Sequence, residues 1–299
     1  MITTGALTKR YGERVTALSD LTVDFPAGVT GLVGANGAGK STLIKILLGL
    51  LPATSGTASV LDLDVRTEGR AIRELVGYMP EHDCLPPDVT ATELVVHLAK
   101  MSGLPTTAAR ERAADTLRHV GLYEERYRAV GGYSTGMRQR VKLAQALVHD
   151  PRLVLLDEPT NGLDPAGRDD MLALIRRIGT AFGISVVVTS HLMGELERVC
   201  DHVVVIDGGR LMRSAATAEM TGRTEQLTLE VSERSDEVAA RLVAAGVSVR
   251  PVGSLLELAP VSDETYDLVR DVVADLDAGL VRLARGRHHM LDLFRDGAS

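Results

Sequence analysis

Residues 34–42 read Gly-Ala-Asn-Gly-Ala-Gly-Lys-Ser-Thr, a glycine-rich turn closed by one amine and two hydroxyls. The run fits G-x-x-x-x-G-K-[ST] and lies between a strand-like apolar segment and a helical one, the setting in which that spacing cradles phosphate. Gly37 and Gly39 allow backbone conformations that a Cβ forbids. The N–H groups of residues 37 to 41, those of Ala38 and Ser41 among them, can then converge on phosphate oxygens at a helix N-terminus. Lys40 is placed to reach the β and γ phosphates, and the Ser41 hydroxyl to ligate Mg²⁺. Gly34, Asn36 and Thr42 complete the expected nucleotide contacts. A turn that merely closes a strand–helix connection needs no lysine, and lysine is scarce here: Lys9, Lys40, Lys45, Lys100 and Lys142. The pattern implies a nucleoside triphosphate, read as ATP.

A second constellation is "RLVLLDEPTNGLD", an apolar strand ending in Asp157 and Glu158. Such a strand end delivers two carboxylates to the edge where the phosphates sit. Asp157 would hold Mg²⁺ directly or through water. Glu158, one position on, would polarise a water attacking the γ-phosphate. Asp-Glu after a strand also occurs as a solvated turn, so this pair alone does not decide between the two readings.

These groups require a scaffold, and the hydrophobic pattern supplies one. "LTVDF" puts Leu21, Val23 and Phe25 on one face, as a half-buried strand does. "VTGLVG" runs into the glycine-rich turn, and "STLIKILLGL" follows as a helix. "RLVLLD" and "ISVVVTS" are nearly continuous apolar runs, the pattern of central parallel strands covered on both faces. Between them "AGRDDMLALIRRIGTAF" places Met171, Leu174, Ile175 and Ile178 on one helical face. "HVVVIDGGRLM" reads as a hairpin with a Gly-Gly turn. The expected α/β domain spans residues 1–221, with a helical subdomain at about 85–150 and an antiparallel flap at its start. Residues 222–299 change character. Strand, helix, strand, strand, helix, strand is the order of a ferredoxin-like α+β unit, and "HMLDLFRD" reads as one more helix.

The bulk numbers bound the partners. The chain of 299 residues has room for about two domains. A net charge of −7 argues against a nucleic-acid surface, which shows a basic footprint. Cys84 and Cys200 imply no disulfide framework and a reducing compartment. "LIKILLGLLPA" falls short of the roughly 20 apolar residues of a membrane span. The expectation is a cytoplasmic protein, free to have a membrane partner.

With "YSTGMRQR" between the two phosphate elements and "TSH" after them, the chain resembles the nucleotide-binding subunit of an ABC transporter. The motifs cover residues 1 to about 220 in the family's order and spacing. The resemblance implies the α/β fold of the P-loop ABC cassette, with a mostly parallel central sheet, an antiparallel β subdomain and an α-helical subdomain. It implies that Tyr11 stacks on adenine, and that Ser134 and Gly136 touch the γ-phosphate of ATP bound to an opposite protomer. A serine and backbone amides at a helix start suit an anion, although Ser134 also reads as an ordinary N-cap. It further implies that Asp164 couples two sites across a dimer and that His191 is a switch histidine bonding the γ-phosphate. Lys40, Glu158 and His191 are thereby the expected catalytic residues. Ser41, Asp157 and Glu81 are the expected Mg²⁺ ligands.

Two positions depart from the family pattern. Glu81, in "GYMPEHDCLPPD", stands where a glutamine is usual. It keeps an oxygen for Mg²⁺ and the attacking water while adding a charge that the metal must neutralise. The loop after it is expected to grip the coupling helix of a transmembrane permease subunit. Thr135 replaces a commoner glycine. "EHDC" invites a metal-site reading that the resemblance does not support. The implied function is an ATPase that energises a separate permease for export, from the inner face of the cell membrane, paired with itself or a paralogous subunit. A ferredoxin-like appendage resembles that of drug- or lipid-exporter subunits. The alternatives are a soluble ABC ATPase acting on ribosomes or DNA, and a nucleotide-regulated binding module with little turnover.

Overall fold

The computed structural model describes residues 1–12, 14–220, 223–253, 255–260 and 262–287. The chain divides into two compact units, Met1–Thr217 and Ala218–Ser299.

Unit 1 opens with β1 (Ile2–Tyr11) and β2 (Val15–Phe25), then β3 (Val29–Val33) and α1 (Lys40–Leu47). There follow β4 (Ser55–Val60), β5 (Leu63–Asp64), α2 (Gly69–Leu75) and β6 (Val76–Met79). Three helices, α3 (Ala91–Met101), α4 (Thr106–His119) and α5 (Thr135–Leu147), lead to β7 (Leu153–Leu156). The unit ends with α6 (Pro165–Ala181), β8 (Ser185–Ser190), the one-turn α7 (Met193–Leu196), and the strands β9 (His202–Asp207) and β10 (Arg210–Ala216). A further turn, α8 (Thr217–Met220), carries the chain on.

Two sheets form unit 1. The antiparallel one runs β2-β1-β4-β5, and its alternating strands bury Leu21, Val23 and Phe25 while the residues between them face water. The other runs β10-β9-β3-β8-β7-β6. It is parallel from β9 to β6, and β10 returns antiparallel through Gly208 and Gly209, both at positive φ. All of β3 and β7 is buried, which is why their sequences lack alternation. One apolar cluster joins the two sheets and α1, including Phe25, Leu32, Leu43, Ile44 and Leu155. The α6 helix buries Met171, Leu174, Ile175 and Ile178, as its periodicity requires.

Unit 2 has its own sheet and core. Its elements are β11 (Arg223–Val231), α9 (Ser235–Ala244), β12 (Ser248–Val252), β13 (Leu255–Ala259), α10 (Asp263–Asp275) and β14 (Leu280–Arg287). The strands pair antiparallel in the order β12-β13-β11-β14. Leu227, Leu229, Val238, Leu242, Leu258 and Val269 are fully buried at its centre. The helix expected at "HMLDLFRD" lies outside the described residues.

Topology decides where chemistry can occur. In an open parallel sheet, ligands bind beyond the carboxyl ends of the strands, where loops diverge to opposite faces. Val33 pairs with Ser190, Val188 with Leu156, and Leu156 with Met79. The residues that follow these ends therefore lie side by side. They are the glycine-rich turn after β3, His191 after β8, Asp157 and Glu158 after β7, and Glu81 after β6.

Candidate active site

The turn after β3 has the backbone its glycines permit. Gly37 has φ 87° and Gly39 φ 102°, and Gly39 stands in the left-handed region as the N-cap of α1. A Cβ at Gly34 would come within 2.5 Å of the Ile206 carbonyl oxygen. Ala35, Asn36 and Gly37 are exposed, while Ala38 and Lys40 are buried. Ser41 and Thr42 are half-buried in the first turn of α1, which carries no acidic residue. The N–H groups at that helix end, with no acidic residue in the turn itself, suit an anion.

Lys40 sits inside the turn. Its Nζ donates to the Gly34 carbonyl at 2.7 Å and lies 3.3 Å from Glu158 Oε1. The second contact is an ion pair without hydrogen-bond alignment, since Glu158 Oε1 has no hydrogen-bond partner. The other oxygen, Oε2, is 2.9 Å from His191 Nδ1. Glu158 is 5% exposed and holds φ 50°. A buried carboxylate in the left-handed region is strained for a non-glycine residue, and such strain is sustained only where surroundings over-determine it. Here the Glu158 N–H donates to Thr189 Oγ1 at 2.8 Å, and that hydroxyl donates to Asp157 Oδ1 at 2.8 Å. One buried hydroxyl of β8 therefore ties the Asp157 carboxylate to the Glu158 backbone at the end of β7.

Glu81 is held from two sides. Lys142 Nζ donates to its backbone carbonyl at 2.8 Å, and Asn161 Nδ2 donates to Oε1 at 3.4 Å. Gln139 Nε2 in turn donates to the Asn161 carbonyl at 3.1 Å. So α5, the loop after β6 and the loop after Glu158 are tied together. Lys142 is 3% exposed, and burial lowers its pKa against the pull of Cys84, Asp83, Glu81 and Asp157. Burial also raises the Tyr78 phenol to about 12, reinforced by Asp157.

The remaining expected residues stand apart from this centre. Ser134 caps α5, accepting from Met137 N–H at 3.3 Å, and is exposed. A Cβ at Gly136 would make only ordinary contact with Leu163, at 3.7 Å, so packing within the chain does not demand a glycine there. Thr135 turns its Cγ2 to within 3.4 Å of where a Cβ on Gly162 would lie, so it borders the loop before Asp164. Asp164 caps α6, accepting from Gly167 N–H at 3.0 Å. Tyr11, at the end of β1, is 44% exposed with Lys9 Nζ 5.2 Å above its ring.

Sequence reading overlooked Thr189, Gln139 and the role of Lys142. Each had a signal. A hydroxyl closing a run of valines, and an amine or amide on the buried face of a helix, must find a polar partner.

Residues 18–161 match the ABC transporter domain. The chain is 32% identical over 258 residues to the linearmycin resistance ATP-binding protein of Bacillus subtilis, an alignment that covers 86% of this chain and 79% of that one. The chain belongs to the ABC transporter ATP-binding proteins. This ABC subunit is also 36% identical over 253 residues to the daunorubicin/doxorubicin resistance ATP-binding protein of Streptomyces peucetius, covering 83% and 76% of the two chains. Its fold is similar to the dimeric structure of a bacterial ABC transporter cassette, with TM-score 0.66, 25% identity, and 73% and 99% of the chains covered. It is an exporter-like ABC ATPase subunit that binds ATP and uses its hydrolysis to energise a separate permease. Among the described residues no helix is long and apolar enough to cross a membrane.

Proposed function

We propose that this subunit powers export through its permease by closing on ATP as a dimer and reopening on hydrolysis. The observation that carries the proposal is the buried Glu158 carboxylate, in contact with Lys40 on one oxygen and His191 on the other. A triphosphate seated on the amides of residues 37 to 41 takes Lys40 onto its β and γ oxygens. Glu158 is then free to accept a proton from the attacking water, with His191 orienting it and bonding the γ-phosphate. Gly34, Asn36, Thr42 and the Tyr11 ring supply the rest of the nucleotide contact.

The donor set near the turn is hard oxygen: the Ser41 hydroxyl and the carboxylates of Asp157 and Glu81. That set fits Mg²⁺, which is usually held by one or two carboxylates together with substrate phosphates. When bound, Mg²⁺ neutralises charge on the triphosphate and on the added carboxylate of Glu81.

Ser134, Gly136 and Asp164 cap helices or border loops, away from the chain's own Lys40–Glu158–His191 contacts. The Ser134 hydroxyl and the backbone N–H groups about Gly136 at the start of α5 suit ATP held by a second copy or a paralogous subunit, with Asp164 coupling the two sites. The loop after Glu81 is the contact for the permease, and the site of action is the inner face of the cell membrane. Residues 1–221 form the ATP-binding domain. Residues 222–299 form a ferredoxin-like accessory domain, a reading supported by the βαββαβ order and the β12-β13-β11-β14 sheet. Turnover and light scattering of Glu158→Gln test the proposal. Loss of the base slows ATP hydrolysis by roughly 10²- to 10⁴-fold, and the variant dimerises when saturated with ATP. Equal turnover would remove Glu158 from the mechanism, and a solitary variant, with no paralogous subunit to pair with, would remove the ATP-held dimer.

A further inference from the structure

We infer that Glu195 is a positioning residue, joining the loop that carries His191 to the loop that runs from Glu158 to Asp164. It lies in the one-turn α7, four positions after His191, and is 9% exposed. Its neighbours Met193, Leu196, Val199 and Cys200 are buried apolar residues, so a carboxylate here is out of keeping with its surroundings. A buried charge persists only where it is paired and hydrogen-bonded. Glu195 meets both conditions through partners in functional loops.

Its Oε2 accepts from Thr160 Oγ1 at 2.8 Å and from Ser190 Oγ at 3.4 Å. Thr160 is two residues past Glu158, and Ser190 immediately precedes His191. Both hydroxyl residues are buried. Its Oε1 lies 2.9 Å from Arg168 Nε, an ion pair whose N–H is not aimed at the oxygen. Arg168 Nη2 reaches on to the Leu163 carbonyl at 3.5 Å, one residue before Asp164. The six-residue stretch after Glu158 is therefore braced from Glu195 at both ends, at Thr160 directly and at Leu163 through Arg168. The same carboxylate steadies the strand end from which His191 reaches Glu158.

A single oxygen shared by Thr160 and Ser190 makes the two loops move as one body. If His191 shifts on meeting the γ-phosphate, the displacement passes through Ser190 and Glu195 to the residues that precede Asp164. Glu195 touches neither substrate nor metal on this account. It acts by keeping Glu158 and His191 in register. The inference rests on the roles proposed above for those two residues.

The test is steady-state ATP turnover of the full chain carrying Glu195→Gln, Thr160→Val or both, with Glu158→Gln in parallel. Glu195→Gln turns an amide toward Arg168, and Thr160→Val removes one hydroxyl at constant shape. A misplacement of the reacting groups by about 1 Å lowers rate by up to about 10²-fold, so each single variant should lose about tenfold in kcat. KM for ATP stays within about twofold, because the nucleotide is held by the glycine-rich turn. The double variant is no slower than the slower single, as expected for one shared link. Unchanged kcat in the singles, multiplying effects in the double, or a rise in KM that accounts for the whole loss would each overturn the inference. Should Glu195→Gln not fold, Thr160→Val alone decides by its kcat. Normal turnover in Glu158→Gln would instead overturn the underlying site assignment.

Discussion

At the scale of the residue, the hydroxyl of Thr189 matters more than its place in a run of valines suggests. It accepts from the Glu158 N–H and donates to Asp157 Oδ1, each at 2.8 Å, and is fully buried. Replacing it by valine keeps the shape and removes both bonds. A buried N–H left without a partner costs about 1–3 kcal/mol, and the left-handed φ of Glu158 loses the contact that holds it. Thr189→Val should lower the urea midpoint by that equivalent and slow ATP turnover. A variant with normal stability and normal turnover would show that Glu158 is held by other means. Glu81 carries the complementary prediction. Because its carboxylate adds charge beside Asp157, Glu81→Gln should change the Mg²⁺ concentration at half-maximal turnover, and a superimposable Mg²⁺ titration would make the residue incidental. Such effects mark the boundary of what the sequence discloses. Gly37, Gly39, Lys40, Asp157 and Glu158 were legible because phosphate chemistry needs those types at fixed spacing along the chain. Thr189, Lys142 and Glu195 were not, because the partners that tie them to the site lie 31, 61 and 35 positions away. The strained φ of Glu158 was equally hidden, since it follows from those distant bonds.

At the scale of the element, the parallel strands were readable from their unbroken apolar runs, and the order in which they pair explains why four loop ends meet. What holds an element in place was less visible. Asp201, just before β9, accepts from the Val29 N–H at 3.0 Å and from Arg176 of α6 at 2.6 Å. It thereby pins the start of β3, whose far end carries the glycine-rich turn, to the helix that covers the sheet. A Cβ at Gly28 would fall 2.8 Å from Asp201 Oδ2, and Gly28 has φ 101°, so a side chain there would break the same joint. Burial alone would raise the Asp201 pKa, but the Val29 bond and the Arg176 guanidinium outweigh it and the pKa is lowered. A carboxylate made more acidic by folding stabilises the folded form above its unfolded pKa and loses that contribution as pH falls through the folded value. Asp201→Asn should therefore cost about 1 kcal/mol at pH 7, a figure kept small because the pair is half exposed. The gap between variant and parent should narrow below about pH 5. Urea unfolding of both proteins across that range measures it, and a gap that widens on acidification would contradict the assignment.

At the scale of the whole molecule, each compact unit has an apolar cluster of its own among the described residues, and the proposed nucleotide site draws on the first unit. The cluster around Phe25, Leu43 and Leu155 belongs to Met1–Thr217, and the cluster around Leu229, Leu242 and Leu258 belongs to Ala218–Ser299. Every residue placed at the phosphate-binding end of the central sheet falls in the first unit. A unit with its own apolar core can unfold as its own cooperative step, so a single two-state transition is not expected for the full chain. A ligand stabilises only the form that binds it, by RT ln(1 + [L]/Kd), or about 2.7 kcal/mol at a hundredfold excess over Kd. Calorimetry of the Glu158→Gln variant, in which ATP persists, should then resolve two transitions. Mg²⁺ and ATP should raise one of them, and Lys40→Ala should abolish that rise without moving the other. The unaffected transition should coincide with that of the isolated fragment 222–299. If both transitions shift together with nucleotide, the two cores are thermodynamically coupled, and residues 222–299 then report on ATP occupancy instead of standing beside it.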